Sequence, residues 1–178
     1  GNRADGVVNP GAGDSGNPSQ LQGFINWALD NASTDFRGST VRHALVMIGP
    51  GAGWRGALQD DSTRSSTAMT AAQMAAAINA AYAATHEAGG RLRLIAAGAS
   101  LFGTLENALD LSEPMSADTT AHVVLSEDVF PETGFAFEAW LNGFATADAV
   151  LTPAGVAESL VQTTAASIPD STDHVIAS

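Results

Sequence analysis

The sequence RLRLIAAG, at residues 91–98, is the stretch that decides the fold. Arginine alternates with leucine at its start, and the run then becomes apolar until it reaches a glycine. The pair Gly89-Gly90 comes just before it and ends any preceding helix. A short apolar run bounded in this way is typical of a buried strand. The stretch therefore predicts a β-strand over residues 91–97.

Two further strands are predicted on either side of this one. Residues 42–48 form an apolar, partly β-branched run that ends at Gly49-Pro50, which predicts a strand buried on both faces. Residues 121–125 form a similar run and predict a third strand.

Helices are predicted before, between and after the strands. Two of them open with a capping box, Ser19 with Gln22 and Thr70 with Gln73, and the last has Thr152 as its N-cap before a proline. The predicted helices span residues 19–31, 70–88, 101–111, 135–144 and 153–167. The side chains predicted to lie in the core include six aromatic ones: Phe24, Trp27, Phe102, Phe135, Phe137 and Trp140.

The alternation of strands and helices predicts an α/β fold. Such a chain forms a mostly parallel sheet with helices on both faces. The domain is expected to span residues 19–168. A Gly/Pro-rich extended arm at 1–18 precedes it, and a tail at 169–178 follows.

Composition excludes several classes of function. The 178 residues contain 19 acidic side chains and only 7 basic ones, all arginine, for a net charge of −12. This balance argues against nucleic acid and against anionic membrane surfaces as partners. With no cysteine, the chain has no thiol nucleophile and no disulfide. No apolar run approaches the length of about 20 residues that a membrane span needs.

Two segments follow predicted strands in the place where α/β proteins hold their functional groups. They read IGPGAGW at residues 48–54 and IAAGASLFGTLE at residues 95–106. Both resemble signatures of the clostripain-like cysteine peptidases, a caspase-fold family, which read Asp-His-Gly-Ser-Gly-Trp and Phe-Asp-Ala-Cys-Leu-Met-Gly. Shorter similarities in the same order occur at residues 21–27, 69–78 and 125–141.

The resemblance implies an inactive relative of these peptidases. Pro50 stands where the family has its general-base histidine, and Ser100 where it has the nucleophilic cysteine. Gly98 replaces the aspartate that binds a basic P1 side chain. The family's opening strand–helix unit has no counterpart in this chain. The resemblance therefore implies a three-layer caspase-like sandwich, truncated at the N-terminus, with no catalytic residues and no cofactor.

Other readings of these segments are weaker. Gly51, Gly53 and Gly56 match the dinucleotide pattern G-x-G-x-x-G, but a polar, acidic loop follows them instead of a helix, which argues against a nucleotide site. Ser100 as a nucleophile would need a nearby base. His43 is expected at the opposite end of its strand, about 20 Å from Pro50 at roughly 3.3 Å per residue.

Acidic residues offer a weak case for calcium. Carboxylates suit this ion, but none of the candidates follows an EF-hand spacing, so a solvated acidic surface is the simpler interpretation. The candidates are Asp60, Asp61, Asp118, Glu127 and Asp128.

The strand at 42–48 gives the clearest indication of function. In caspase-like sheets the opening strand lies beside it, so without that strand it becomes a sheet edge, which proteins usually cover or pair. We therefore expect a non-catalytic structural or accessory subunit that contacts other protein subunits through edge 42–48 and arm 1–18. The family is mostly secreted, and the chain begins with Gly1, as after removal of an export signal, so we expect a complex that is extracytoplasmic or associated with a membrane.

Two alternatives stay open at this point. One is an enzyme of different chemistry at the same strand ends, such as a metal-assisted hydrolase that uses the acidic residues. The other is a pseudopeptidase that still binds peptides without cutting them, which the loss of the P1-binding aspartate at Gly98 weakens.

Overall fold

The structure of the protein is a computed structural model that describes residues 13–35, 42–60, 68–84, 92–112, 122–126, 135–145, 152–168 and 176–177. Five α-helices lie in these residues: α1 (Pro18–Asp35), α2 (Ala71–Ala84), α3 (Leu105–Ser112), α4 (Phe137–Ala145) and α5 (Pro153–Ser167). Four strands accompany them: β1 (His43–Ile48), β2 (Leu92–Gly98), β3 (His122–Ser126) and β4 (Ile176–Ala177).

The strands form one sheet in the order β1-β2-β3-β4. The first three are parallel, which confirms the three predicted strands and the α/β class. The two-residue β4, within the predicted tail, pairs antiparallel with β3. Within the described part of the chain, β1 pairs with β2 alone and is an edge of the sheet.

Two apolar clusters lie on opposite faces of the sheet. The first joins Ile25 of α1, Met74 and Ile78 of α2 and Leu111 of α3 to Ile95 of β2. The second joins the other face of the sheet to α4 and α5, through Leu94, Val124, Phe135, Trp140 and Leu160. This arrangement is consistent with a three-layer α/β sandwich. The helices α1, α2 and α3 form one outer layer, and α4 and α5 form the other.

A β-bulge interrupts the regular pairing at the start of β1 and β2. His43 is opposite Leu92, whereas the next residue, Ala44, is opposite Leu94, so Arg93 is the extra residue. Bulges change which face the neighbouring side chains point to. Leu92 consequently packs in the same cluster as Ile95, although three positions separate them.

Helix capping explains where most helices begin. The Gln73 N–H donates to Thr70 Oγ1 at 3.2 Å, and the Thr70 N–H donates to Gln73 Oε1 at 3.0 Å, which confirms the capping box of α2. Thr152 Oγ1 accepts from the Gly155 N–H at 3.1 Å, which confirms the N-cap of α5. Both caps satisfy N–H groups that have no partner within the helix.

The predicted starts of three helices are wrong, and one of them is that of α4, which was predicted from residue 135 and begins at Phe137. At α1 the cap is Asn17 and not Ser19, because Asn17 Oδ1 accepts from the Ser19 N–H at 2.9 Å. The helix predicted at 101–111 begins only at Leu105. Leu101 lies before it in a turn with a φ of 59°, and Thr104 Oγ1 caps α3 by accepting from the Asn107 N–H at 3.3 Å.

Two burial predictions are also wrong. Strand β1 is not buried on both faces, since Ala44 and Ile48 are exposed. Of the six aromatic residues, Phe24 and Trp27 are about half exposed on α1, where their rings lie 6.0 Å apart. Phe102, Phe135 and Trp140 are buried as expected, and Phe137 is partly buried. Of these exposed residues, Phe24 and Ala44 line the same cavity beside β1.

Candidate functional site

The carboxyl ends of β1 and β2 lie side by side. Ile48 pairs with Gly98, and the Gly49 N–H donates to the Gly98 carbonyl at 3.2 Å. Pro50 and Ser100 each follow these paired residues by two positions. The structure therefore brings the three positions Pro50, Gly98 and Ser100 together at the carboxyl ends of β1 and β2.

The segment after β1 folds back as an irregular hairpin. The Leu58 N–H donates to the Pro50 carbonyl at 2.8 Å, and Ala57 exchanges two backbone hydrogen bonds with Met69, at 2.9 and 2.8 Å. Gly56 has a φ of 127°, and a Cβ atom there would lie 2.5 Å from the Met69 carbonyl oxygen. Because Gly56 has no side chain, its backbone can lie this close to Met69 within the hairpin. Residues 57–60 form no helix that could receive a phosphate, so the nucleotide pattern has no structural support.

Gly51 is the point at which this hairpin touches the Ser100 turn. A Cβ atom at Gly51 would lie 2.3 Å from the Ser100 carbonyl oxygen, 2.5 Å from the Ser100 nitrogen and 2.8 Å from the Ala99 carbonyl carbon. The two backbones are therefore in direct contact. This contact joins the segment that contains Pro50 to the turn that contains Ser100.

Asn107 is a site residue that the sequence analysis missed. Its buried side-chain amide donates to the Phe102 carbonyl at 2.9 Å and to the Gly53 carbonyl at 3.5 Å. It thus fixes the hairpin to the turn after β2. The Gly103 N–H donates to the Ser126 carbonyl at 2.7 Å and ties the same turn to β3. The spacing Thr104-x-x-Asn107, typical of an N-cap, was the signal available in the sequence.

The described histidines lie at the other end of the sheet. His43 is the first residue of β1 and His122 is the first residue of β3, so both lie at the amino-terminal end of their strands, away from Ser100. His86 and His174 lie outside the described residues. His43 Nδ1 is 3.0 Å from the Tyr82 hydroxyl and is part of a contact between β1 and α2.

Tyr82 is the only tyrosine of the chain, and burial raises its pKa from 10.0 to about 12. Because burial disfavours the charged phenolate, the folded protein holds this proton more tightly than the unfolded chain does. The contribution of Tyr82 to the free energy of unfolding is therefore fully present below pH 10. It is lost as the pH rises from 10 toward 12.

We expect the phenolate absorbance of the native protein to rise with a midpoint near pH 12, and near pH 10 after denaturation. Since no other tyrosine contributes, the titration reports on this residue alone. Tyr82→Phe is the control and should abolish the transition. A native midpoint at pH 10 would contradict the burial of the hydroxyl.

Of the calcium candidates, the described residues include only Asp60. Asp60 Oδ2 accepts from the Ser15 N–H at 3.3 Å, and the Ser15 hydroxyl donates to the Leu58 carbonyl at 3.0 Å. Asp60 thus fixes the end of the predicted arm to the hairpin. Asp61, Asp118, Glu127 and Asp128 lie outside the described residues. Across the part of the chain that the structure describes, no three His, Asp or Glu side chains form a group able to ligate a metal.

Large apolar side chains are exposed near the carboxyl ends of β1 and β2. Trp54 is 71% exposed, with the Arg55 guanidinium 5.5 Å from the centre of its ring, and Leu105 at the start of α3 is 72% exposed. Ile48 and Leu101 are about half exposed. Large apolar side chains that converge in this way are a common feature of protein interaction surfaces.

Comparisons with protein families, with curated proteins and with solved structures gave no match. The resemblance to clostripain-like peptidases therefore depends on the segments quoted above. Among the described helices, none combines the length and the apolar character required to cross a membrane.

Proposed function

We propose that this chain is a non-catalytic structural or accessory subunit of a larger protein complex, derived from a clostripain-like peptidase with a caspase-like fold. The observation that carries the proposal is that, among the described residues, β1 pairs with β2 alone, while Ile48 on this strand and Phe24 beside it are exposed. Proteins seldom leave such an edge uncovered, because its N–H and C=O groups pair readily with another chain.

The geometry at the strand ends supports the absence of peptidase chemistry. Peptidases of this class require a thiolate and an imidazole next to a cleft. At these positions the chain has Ser100 and Pro50, and the backbone of Gly51 lies in close contact with that of Ser100. An extracytoplasmic or membrane-associated complex remains part of the proposal because the peptidases that the chain resembles are mostly secreted.

We expect the purified protein to hydrolyse arginyl and lysyl peptide substrates no faster than a heat-inactivated sample does. The measurement is release of a fluorescent leaving group, and Ser100→Ala is the matched control. Turnover by the native protein that disappears in Ser100→Ala would show that the chain is an enzyme.

The subunit role is tested by isolating the protein from its source with its complexes intact. Size-exclusion chromatography with light scattering should then give a species heavier than one copy, with a second polypeptide at fixed stoichiometry. Since the chain is acidic, association through charged groups should weaken as salt is added. A single monomeric species at low and physiological salt would contradict the proposal.

A further inference from the structure

A cavity of about 290 Å³ lies on the face of the sheet that α4 and α5 cover. Its lining is mostly apolar and includes Leu94 of β2, Trp140 of α4 and Val156 of α5. Two arginines also line it, Arg42 just before β1 and Arg93 near the start of β2. The cavity therefore lies near the amino-terminal ends of these strands, at the opposite end from the Ser100 turn.

The β-bulge at the start of β2 places Arg93 at this cavity. In a regular strand, neighbouring residues face opposite sides of the sheet, so Arg93 and Leu94 would lie on different faces. Because Arg93 is the extra residue of the bulge, both line the same cavity, while Leu92 packs in the cluster on the other face. Bulges are common next to active sites, where they re-aim a side chain. The interrupted strand pairing thus brings a guanidinium group to the cavity that Trp140 lines.

Hydrogen bonds hold the aromatic wall of the cavity in place. The Trp140 indole N–H donates to Ser159 Oγ at 3.0 Å and to the Val156 carbonyl at 3.3 Å. Both acceptors belong to α5, so they fix the buried indole ring relative to that helix. A wall that is fixed in this way is formed before a ligand arrives, which lowers the cost of binding.

The charges at this cavity differ from those of the molecule as a whole. The chain has a net charge of −12, and the described residues include three arginines, Arg42, Arg55 and Arg93. Two of these three line the cavity, and none of the described residues that line it is acidic. Pro153, in the first turn of α5, lines it too, and the N-terminal end of a helix adds partial positive charge. The local field therefore favours an anion.

We propose that this cavity binds a small organic carboxylate with an apolar body, of the size of one aromatic ring on a short aliphatic chain. The carboxylate pairs with the guanidinium group of Arg93, whose fork of N–H donors matches two carboxylate oxygens, and Arg42 adds a second positive charge. The apolar body lies against Leu94, Trp140 and Val156. This binding activity goes beyond the subunit function proposed above and does not depend on it.

The size and the apolar lining of the cavity restrict the ligand. An apolar cavity of about 150 Å³ already holds benzene, so one ring with a short chain suits the larger volume found here. A carboxylate suits it better than a phosphate, because a group with a single charge loses less hydration when it enters an apolar cavity.

The test uses the full chain with Trp27→Phe and Trp54→Phe, which leaves Trp140 as the one tryptophan of the three. Both replaced side chains are at least half exposed, so their replacement should not disturb the fold. The probe is phenylacetate, and the control ligands are phenylethanol, acetate and inorganic phosphate. We expect phenylacetate to change the Trp140 fluorescence in a saturable way, with a Kd below about 1 mM, and calorimetry on the unsubstituted protein to agree.

The control ligands separate the contributions of charge and apolar contact. Phenylethanol has the apolar body without the charge, whereas acetate and phosphate have the charge without the body. Each should bind at least about tenfold more weakly than phenylacetate. Binding of phenylacetate should also weaken as salt is added, since salt screens the arginines.

Variants of the arginines locate the binding. Arg93→Gln removes the charge, keeps a long polar side chain and should weaken phenylacetate binding at least about tenfold. Arg55→Gln is the matched control, because Arg55 is exposed on the hairpin after β1, and this change should leave binding unaltered. Arg42→Gln leaves the bulge intact and should weaken binding about threefold or more. It therefore tests the proposal even if Arg93→Gln fails to fold, which circular dichroism would show.

Several outcomes would overturn the proposal. Absence of saturable phenylacetate binding would show that the cavity takes no such ligand, and an acidic side chain of the chain itself in the cavity would give the same result. Equal binding of phenylethanol would show a site without charge recognition. Equal binding of acetate or inorganic phosphate would show only a general attraction for anions. Equal effects of the Arg93→Gln, Arg42→Gln and Arg55→Gln changes would place the binding elsewhere.

Discussion

Replacement of Gly51 by alanine is expected to lower the free energy of unfolding by about 3 kcal/mol or more, at the upper end of what overpacking costs. The new Cβ would lie 2.3 Å from the Ser100 carbonyl oxygen and 2.5 Å from the Ser100 nitrogen. Both are backbone atoms, which cannot rotate away as a side chain can. The hairpin after β1 must therefore separate from the Ser100 turn. Chemical denaturation followed by circular dichroism measures the loss.

Gly143→Ala is the matched control for this change. Gly143 lies within α4, and a Cβ atom there would have no neighbour within 4 Å. Because glycine is a poor helix former, alanine at this position should be neutral or stabilising by up to about 1 kcal/mol. If Gly51→Ala were as stable as the native protein, the close contact between the hairpin and the Ser100 turn would be disproved.

Replacement of Phe102 by alanine is expected to cost about 3–5 kcal/mol of stability. Phe102 is fully buried in the cluster that joins α1, α2 and α3 to the sheet. Truncation removes a large apolar side chain and leaves a cavity that the surrounding strands and helices cannot close. Denaturant unfolding should show a lower midpoint with little change in slope.

Leu109→Ala is the control for the truncation. Leu109 lies on α3 as well but is 58% exposed, so its loss should change the free energy of unfolding by no more than about 0.5 kcal/mol. Equal effects of the two substitutions would mean that Phe102 is not a core residue.

The parts of the fold that depend on local chemistry were predictable from the sequence. The three parallel strands follow from short apolar runs bounded by glycine and proline, and each differs by at most one residue at either end. The capping box of Thr70 and the N-cap of Thr152 each involve groups only three residues apart, so a short stretch of sequence contains both the donor and the acceptor. At α1 only Ser19 was predicted as the cap, whereas Asn17, two residues earlier, caps the helix.

The errors have causes that lie outside the local sequence. Leu101 adopts a left-handed backbone, which costs a leucine roughly 1–2 kcal/mol and which propensity therefore argues against. The turn that contains it is set by contacts of Phe102 and Asn107 with distant residues. Phe24 and Trp27 are three residues apart, as residues on one side of a helix are, and this spacing predicts burial. Burial also requires another layer of the fold that packs against that side of the helix.

The candidate site was predictable in position and only partly in detail. Pro50 and Ser100 were expected just past the ends of two strands, and they lie there, whereas Gly98 is the last residue of β2. The direct contact of Gly51 with Ser100 was not expected, because it depends on how the hairpin after β1 folds back. The role of Asn107 was missed for the same reason: its two acceptors, Gly53 and Phe102, belong to different loops.

The open edge of β1 also bears on how copies of this chain behave toward one another. Two identical edges could pair across a twofold axis, as happens when strands of separate molecules join. Each copy carries a net charge of −12, so the approach of a second copy is opposed at low ionic strength, where screening is weak. A polypeptide with a basic or neutral surface meets no such barrier. The acidity of the chain therefore disfavours pairing between two copies of this edge, but it does not oppose a partner whose surface is neutral or basic.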